Sequence, residues 1–243
     1  ASGLQSTPTT ESGQGGNVSV NIGSNSSIVT GGDDAHAIFA QAVGGGGGVI
    51  AGANNSGYAF AGASPAKCSS SQPCTGNVSV ALSGGSIVRT SGQGAYGIYV
   101  QSRGNGSNNT SINIGSGSSV ESWANSAGGI FVDGAGTNTI DNYGTIDNGT
   151  LTNKNTPSVN GIVVASASTT PVAITNEAGS NFYGNTKLAD GSTINGAPSS
   201  TLSATSLDLG GSHSTLTNGG TLEVGGSAIS SLQINGNVVQ QQS

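Results

Sequence analysis

Gly97-Ile98-Tyr99-Val100, Gly129-Ile130-Phe131-Val132 and Gly161-Ile162-Val163-Val164 are three copies of one pattern spaced 32 residues apart. An earlier relative, Ala37-Ile38-Phe39-Ala40, lies 60 residues before Gly97, one period plus 28 extra residues. A second marker keeps the same spacing: Gly16-Asn17-Val18-Ser19-Val20 returns unchanged as Gly76-Asn77-Val78-Ser79-Val80, and in a looser form as Asn108-Asn109-Thr110-Ser111-Ile112. Self-similarity at a fixed period of this length is the signature of a stacked repeat architecture, in which no single repeat can bury its apolar face alone.

Within a repeat the apolar residues alternate, as in Val18, Val20, Ile22 or Val78, Val80, Leu82 or Ile112, Ile114, with Ser, Asn or Thr between them. Alternation with period two is the mark of strands buried on one face. Gly-Ser, Asn-Gly and Gly-Gly clusters separate the strands and supply turns, and no segment has the 3.6-residue periodicity, caps and length of a stable helix. One period holds about three strands, for example Thr110 to Ile114, Ser118 to Trp123 and Gly129 to Val132. The expectation is an all-β, right-handed parallel β-helix in which Ile and Val stack into ladders through a narrow core. A propeller or sandwich would bring antiparallel hairpins and regular aromatic landmarks instead. Beyond residue 135 the coils change, with Ile140-Asp141-Asn142, Ile174-Thr175-Asn176 and Leu216-Thr217-Asn218 each followed within three residues by a glycine. These asparagines read as turn ladders that bond from coil to coil.

Composition agrees with a repetitive scaffold. The 243 residues include 43 glycines, no methionine, 4% aromatic and 7% charged residues, with a formal net charge of −6. The only bases, Lys67, Arg89, Arg103, Lys154 and Lys187, make no patch for a run of phosphates, so nucleic acid is not an expected partner. No stretch reaches the roughly 20 apolar residues of a membrane helix. Cys68 and Cys74 flank the turn-forming Ser69-Ser70-Ser71-Gln72-Pro73, close enough to form a small disulfide loop, which implies an oxidising compartment. Two thiols without neighbouring histidines are too few ligands for a metal site.

Leu216-Thr217-Asn218-Gly219-Gly220-Thr221-Leu222-Glu223-Val224-Gly225-Gly226, ending in Ile234-Asn235-Gly236-Asn237-Val238-Val239-Gln240, resembles the passenger of a classical (type Va) autotransporter. Gly97 to Ser102 and Ile38 to Gly48 are similar to coils of large glycine-rich passengers, so the resemblance covers nearly the whole chain. It implies a bacterial surface or secreted location, a signal peptide before Ala1 and a translocating outer-membrane barrel after Ser243.

Catalysis is not expected. Gly-x-Ser-x-Gly and Gly-Asp-Ser-Gly are missing. The imidazoles are His36 and His213, the latter in an exposed Gly-Ser-His-Ser turn. β-Helices also include polysaccharide lyases and glycoside hydrolases, whose carboxylates must face each other across the scissile bond. Gly32-Asp33-Asp34-Ala35-His36 faintly resembles the paired-aspartate segment of pectin hydrolases, but adjacent acids on a strand point opposite ways, and the segment reads as a solvated turn. Asp133, Asp141, Asp147, Asp190 and Asp208 fall mostly beside Gly or Asn and read as turn residues too. The aspartates do not recur every nine residues, so no calcium roll, metal or cofactor is expected.

The expected function is binding: a surface adhesin or self-associating rod that engages a host-cell protein, a glycan or its own copies. The rod face and the insertion at residues 44–75 would carry it, with Tyr58 and Phe60 beside the Cys68–Cys74 loop as the candidate binding residues. A secreted effector acting on a host receptor is the alternative, and a β-helix lyase or hydrolase stands third.

Overall fold

A computed structural model describes residues 16–43, 49–51, 58–60, 76–103, 108–123, 127–148, 161–224 and 231–241. Every regular element in it is a strand. The first coil is β1 (Val18–Ile22), β2 (Ser27–Thr30) and β3 (Ile38–Val43), after which β4 (Val49–Ala51) and β5 (Tyr58–Phe60) form an antiparallel hairpin. The second coil is β6 (Val78–Leu82), β7 (Ile87–Thr90) and β8 (Tyr96–Arg103), and the third is β9 (Thr110–Ile114), β10 (Ser119–Ser122) and β11 (Gly128–Gly134). Then come β12 (Asn138–Asn142), β13 (Thr145–Asp147) and β14 (Ile162–Ser166), followed by β15 (Ala173–Asn176), β16 (Asn181–Tyr183) and β17 (Asn185–Lys187). The last coils are β18 (Thr193–Gly196), β19 (Thr201–Ala204) and β20 (Ser206–Asp208), then β21 (Thr215–Asn218), β22 (Thr221–Val224) and β23 (Gln233–Asn235), with β24 (Asn237–Gln240) opening another turn.

Each coil contributes one strand to each of three parallel sheets. Sheet A runs β1-β6-β9-β12-β15-β18-β21-β24, sheet B runs β2-β7-β10-β13-β16-β19-β22, and sheet C runs β3-β8-β11-β14-β17-β20-β23. The architecture is the right-handed parallel β-helix that the repeats imply, with the hairpin inserted between its first and second coils.

The core is a set of in-register columns. Val20, Val80, Ile112, Ile140, Ile174, Ile194 and Leu216 stack through sheet A, with Val238 exposed on the last rung. Ile28, Val88, Val120, Ile146, Phe182, Leu202 and Leu222 do the same in sheet B. Branched residues suit a pleated surface at about 4.8 Å spacing, and each sits on its own equivalent one rung away.

The recurring Gly-Ser has a positional cause. In five coils the corner between sheets A and B is a four-residue turn whose third residue has positive φ (Asn25 58°, Gly85 76°, Gly117 73°, Gly179 77°, Ser199 66°), and in the other two, after Asn142 and after Asn218, two residues suffice. The fourth residue is a buried serine in several coils: the Ser118, Ser180 and Ser200 hydroxyls donate to the carbonyls of Ser83, Glu177 and Ala197 at 2.7, 2.6 and 2.7 Å. Each of these carbonyls also accepts the backbone N–H that closes its turn, so the hydroxyl is a second donor that pins the corner.

Of the three expected ladder asparagines, all of which end strands of sheet A, Asn142 and Asn176 bond each other, while Gly196 stands between Asn176 and Asn218, and Asn218 bonds Gly220 and Gln240 instead. Asn142 Nδ2 donates to Asn176 Oδ1 at 2.7 Å, and both side chains are fully buried at the end of sheet A. A second ladder runs through the Gly-Asn-Val-Ser-Val marker: Asn17 Oδ1 accepts from the Asn77 amide, Asn77 Oδ1 from the Asn109 amide and Asn109 Oδ1 from the Thr137 amide at 2.8, 3.0 and 3.2 Å.

Two expectations need correction. The 32-residue spacing would place Ile130 over Ile162, whereas Ile130 pairs with Val164, and the register shifts again between Ile162 and Val164. Asp133, Asp141, Asp147 and Asp208 lie in β11, β12, β13 and β20; of the five acids read as turn residues, Asp190 alone occupies a turn. A glycine or asparagine neighbour is a local signal, and pairing with the adjacent coil overrides it.

Candidate binding face

Residues that alternate with the core point outward, and on sheet C they make two adjacent columns. The first is aromatic. Phe39, Tyr99 and Phe131 occupy equivalent positions in β3, β8 and β11, with ring centroids 5.2 and 4.8 Å apart and interplanar angles of 29° and 27°. Tyr96 leans on Phe131 at 5.1 Å, and His36 stacks on Tyr99 at 4.8 Å. All five rings are partly exposed. Stacking rings along the axis hides their faces from each other and presents their edges to solvent, as offset aromatic pairs prefer. Burial lowers the His36 imidazole below its ordinary value, against an opposing pull from Asp34, while its Nδ1 accepts from the Tyr96 amide at 3.0 Å. Burial, then the Asp133 charge, pushes the Tyr99 phenol up to about 12.

The second column is polar. Gln41 Nε2 donates to Gln101 Oε1 at 2.6 Å, and Gln101 Nε2 to Asp133 Oδ2 at 2.8 Å. Arg103 Nε donates to that same oxygen at 2.7 Å, with a second guanidinium nitrogen at 2.6 Å. Gln101 and Asp133 are buried although they point away from the core. Beside them Ser102, Arg103, Asp133, Gly134, Ala135, Thr169 and Thr170 line a cavity of about 230 Å³.

Sheet B carries a separate cluster. The Arg89 guanidinium lies 3.9 Å from the Trp123 ring centroid and pairs with Glu121 Oε2 at 2.6 Å. Glu121 is in register with Asp147, whose carboxyl burial, followed by the Glu121 charge, pushes up to about 7. Neighbours on one column lie side by side on a flat face, a geometry for carboxyl–carboxyl coupling rather than for attack across a bond.

The other sequence candidates separate. Asp33 and Asp34 sit in the turn before β3, where Asp33 Oδ1 accepts from the Gln93 amide at 3.1 Å and Asp34 has a φ of 53°. His213 is exposed and its Nδ1 lies 2.6 Å from Asp190 Oδ2; that hydrogen bond raises the imidazole and lowers the carboxyl. Tyr58 and Phe60 bound β5 in the inserted hairpin, but their side chains, like Cys68, Cys74 and their proposed disulfide, lie outside the described residues.

No protein-family model, curated protein or solved structure matches the chain. The geometry therefore has to carry the functional reading. Sequence reasoning overlooked sheet C because it used the marker only for its apolar residues. The signal was in the same tetrapeptides: the third residue of each is Phe39, Tyr99 or Phe131, and two residues later come Gln41, Gln101 and Asp133.

Proposed function

We propose that this chain is part of an exported, rod-shaped adhesin that attaches through the outer face of sheet C and the insertion beside it, without turnover. The observation that carries the reading is the in-register column of partly exposed rings, Phe39, Tyr99 and Phe131, alongside Gln41, Gln101 and Asp133. Outward positions on a solenoid have no folding duty that requires large rings, and aromatic side chains that keep one edge wet are typical interface anchors. β3 is also the strand from which the insertion departs, so rings and insertion share one end of the rod. Coil upon coil places this face at a fixed pitch, which suits attachment to a host-cell protein, a glycan or a second copy. The resemblance to autotransporter passengers supports display on, or release from, an outer membrane, with a barrel downstream.

The test is attachment and clumping of cells displaying the chain, compared with two folded variants. One replaces residues 44–75 by a short Gly-Ser turn; the other is Tyr99→Ser with Phe131→Ser. A loss of about tenfold or more in either is expected, the scale of losing one interfacial anchor. Attachment undiminished in both overturns the assignment of the face, and absence of attachment by the parent chain favours the secreted effector.

A further inference from the structure

Asp133 is the one buried acidic residue on the outer face of sheet C among the described residues, its side chain 10% exposed. Burying a charge is costly unless it is paired and hydrogen-bonded. Here the cost is met at a single oxygen: Oδ2 takes the Gln101 amide and both Arg103 contacts. Oδ1 has no hydrogen-bond partner among the described residues. Asp133 also lines the 230 Å³ cavity, as do Thr169 and Thr170. Gln101 and Arg103 thus hold the carboxylate through one oxygen, and no bond among the described residues engages the other.

The chemistry of the lining selects the ligand. Asp133 and Arg103 cancel in charge, so neither an anion nor a cation finds a net countercharge. What remains is an ionised acceptor, outward guanidinium N–H groups and the hydroxyls of Thr169 and Thr170, a set of mixed donors and acceptors. Adjacent hydroxyl groups, each both donor and acceptor, match such a set, and O–H to carboxylate bonds are among the strong ones. The volume is below the 300–1,000 Å³ usual for drug-sized ligands and admits one small ring. Gly134 and Ala135 keep the space open, and Phe131, two residues before Asp133 on the same outer face, carries a partly exposed ring nearby.

We propose that this cavity binds one neutral hexose residue of a glycan. The proposal rests on the adhesin reading and gives its ligand a chemical class. Binding of one residue at one site is weak, in the millimolar range, and strength comes from many chains acting together.

The experiment is a nuclear magnetic resonance titration of the whole chain with the methyl glycosides of glucose, galactose and mannose, and with glucuronate and glucosamine as charged controls. At least one neutral glycoside is expected to shift the amides of Asp133, Thr169 and Thr170. Asp133→Asn, which keeps an oxygen for Arg103, should weaken that binding about tenfold, as should Thr169→Val with Thr170→Val, which leaves the ion pair intact should Asp133→Asn fail to fold. Absence of shifts at these residues, unchanged affinity in the variants, or tighter binding of a charged sugar overturns the proposal. Cell attachment that survives Asp133→Asn but falls with the ring variants would sink the sugar site and leave the adhesin reading standing. Hexose binding by a chain that confers no attachment would do the reverse.

Discussion

Ile140 shows what a single residue does in this rod. It is fully buried between Ile112 and Ile174 on neighbouring rungs, so shortening it opens a void that the two adjacent coils cannot close without breaking their own pairing. Ile140→Ala should lower stability by about 2–5 kcal/mol in denaturant unfolding, the range of buried Ile or Leu truncations. Asp147 supplies the pH dependence. Its carboxyl is raised to about 7 in the fold, by burial and by Glu121, from its ordinary value of 3.8. Between those values the folded chain keeps a proton that the unfolded chain releases, so stability falls as pH rises through this window, and the loss is complete above about pH 7. Asp147→Asn removes that loss. The variant should match the parent at pH 4 and melt several degrees higher at pH 8, at roughly 2–4 °C for each kcal/mol recovered. Equal melting temperatures at pH 8 would mean that Asp147 is ionised without penalty.

At the scale of elements, legibility followed the range of the interaction. Alternation in Val18 to Ile22 and Val78 to Leu82 predicts strands, and the identical marker predicts their pairing, because a strand's inward face and a repeat's equivalent positions are both written in the chain. The prediction slipped by two residues at Gly161, where a change of coil length is absorbed in an irregular register that no local pattern encodes. Asp133, Asp141, Asp147 and Asp208 were misplaced for the related reason that a turn-like neighbour says nothing of the strand one coil away. The corner serines were visible as Gly-Ser clusters, but their hydroxyl-to-carbonyl bonds needed the turn to be built.

For the molecule as a whole, stability in a solenoid is a sum over neighbouring coils, so coils with a neighbour on each side are held best. The inward side chains of β1 are only half-buried, whereas those of β6, β9 and β12 are buried, and all of β24 is exposed. Hydrogen exchange should therefore be slowest at the amides of Ile112, Ile140 and Ile174 and fastest in β1 and β24, with a graded profile between them. A uniform protection across all coils would instead indicate one all-or-none unit.

The chain by itself determined that it is all β, that its repeats stack, and where most strands lie, because periodicity, branched residues and turn chemistry act over a few positions or recur at fixed ones. Tertiary structure alone decided which polar groups meet. Gln101 and Arg103 of β8, Asp133 of β11 and Thr169 and Thr170 after β14 come from three successive coils, separated by tens of residues in sequence. They converge because each coil returns the chain to the same sheet one rung further along, a spacing of about 4.8 Å that turns distant positions into neighbours.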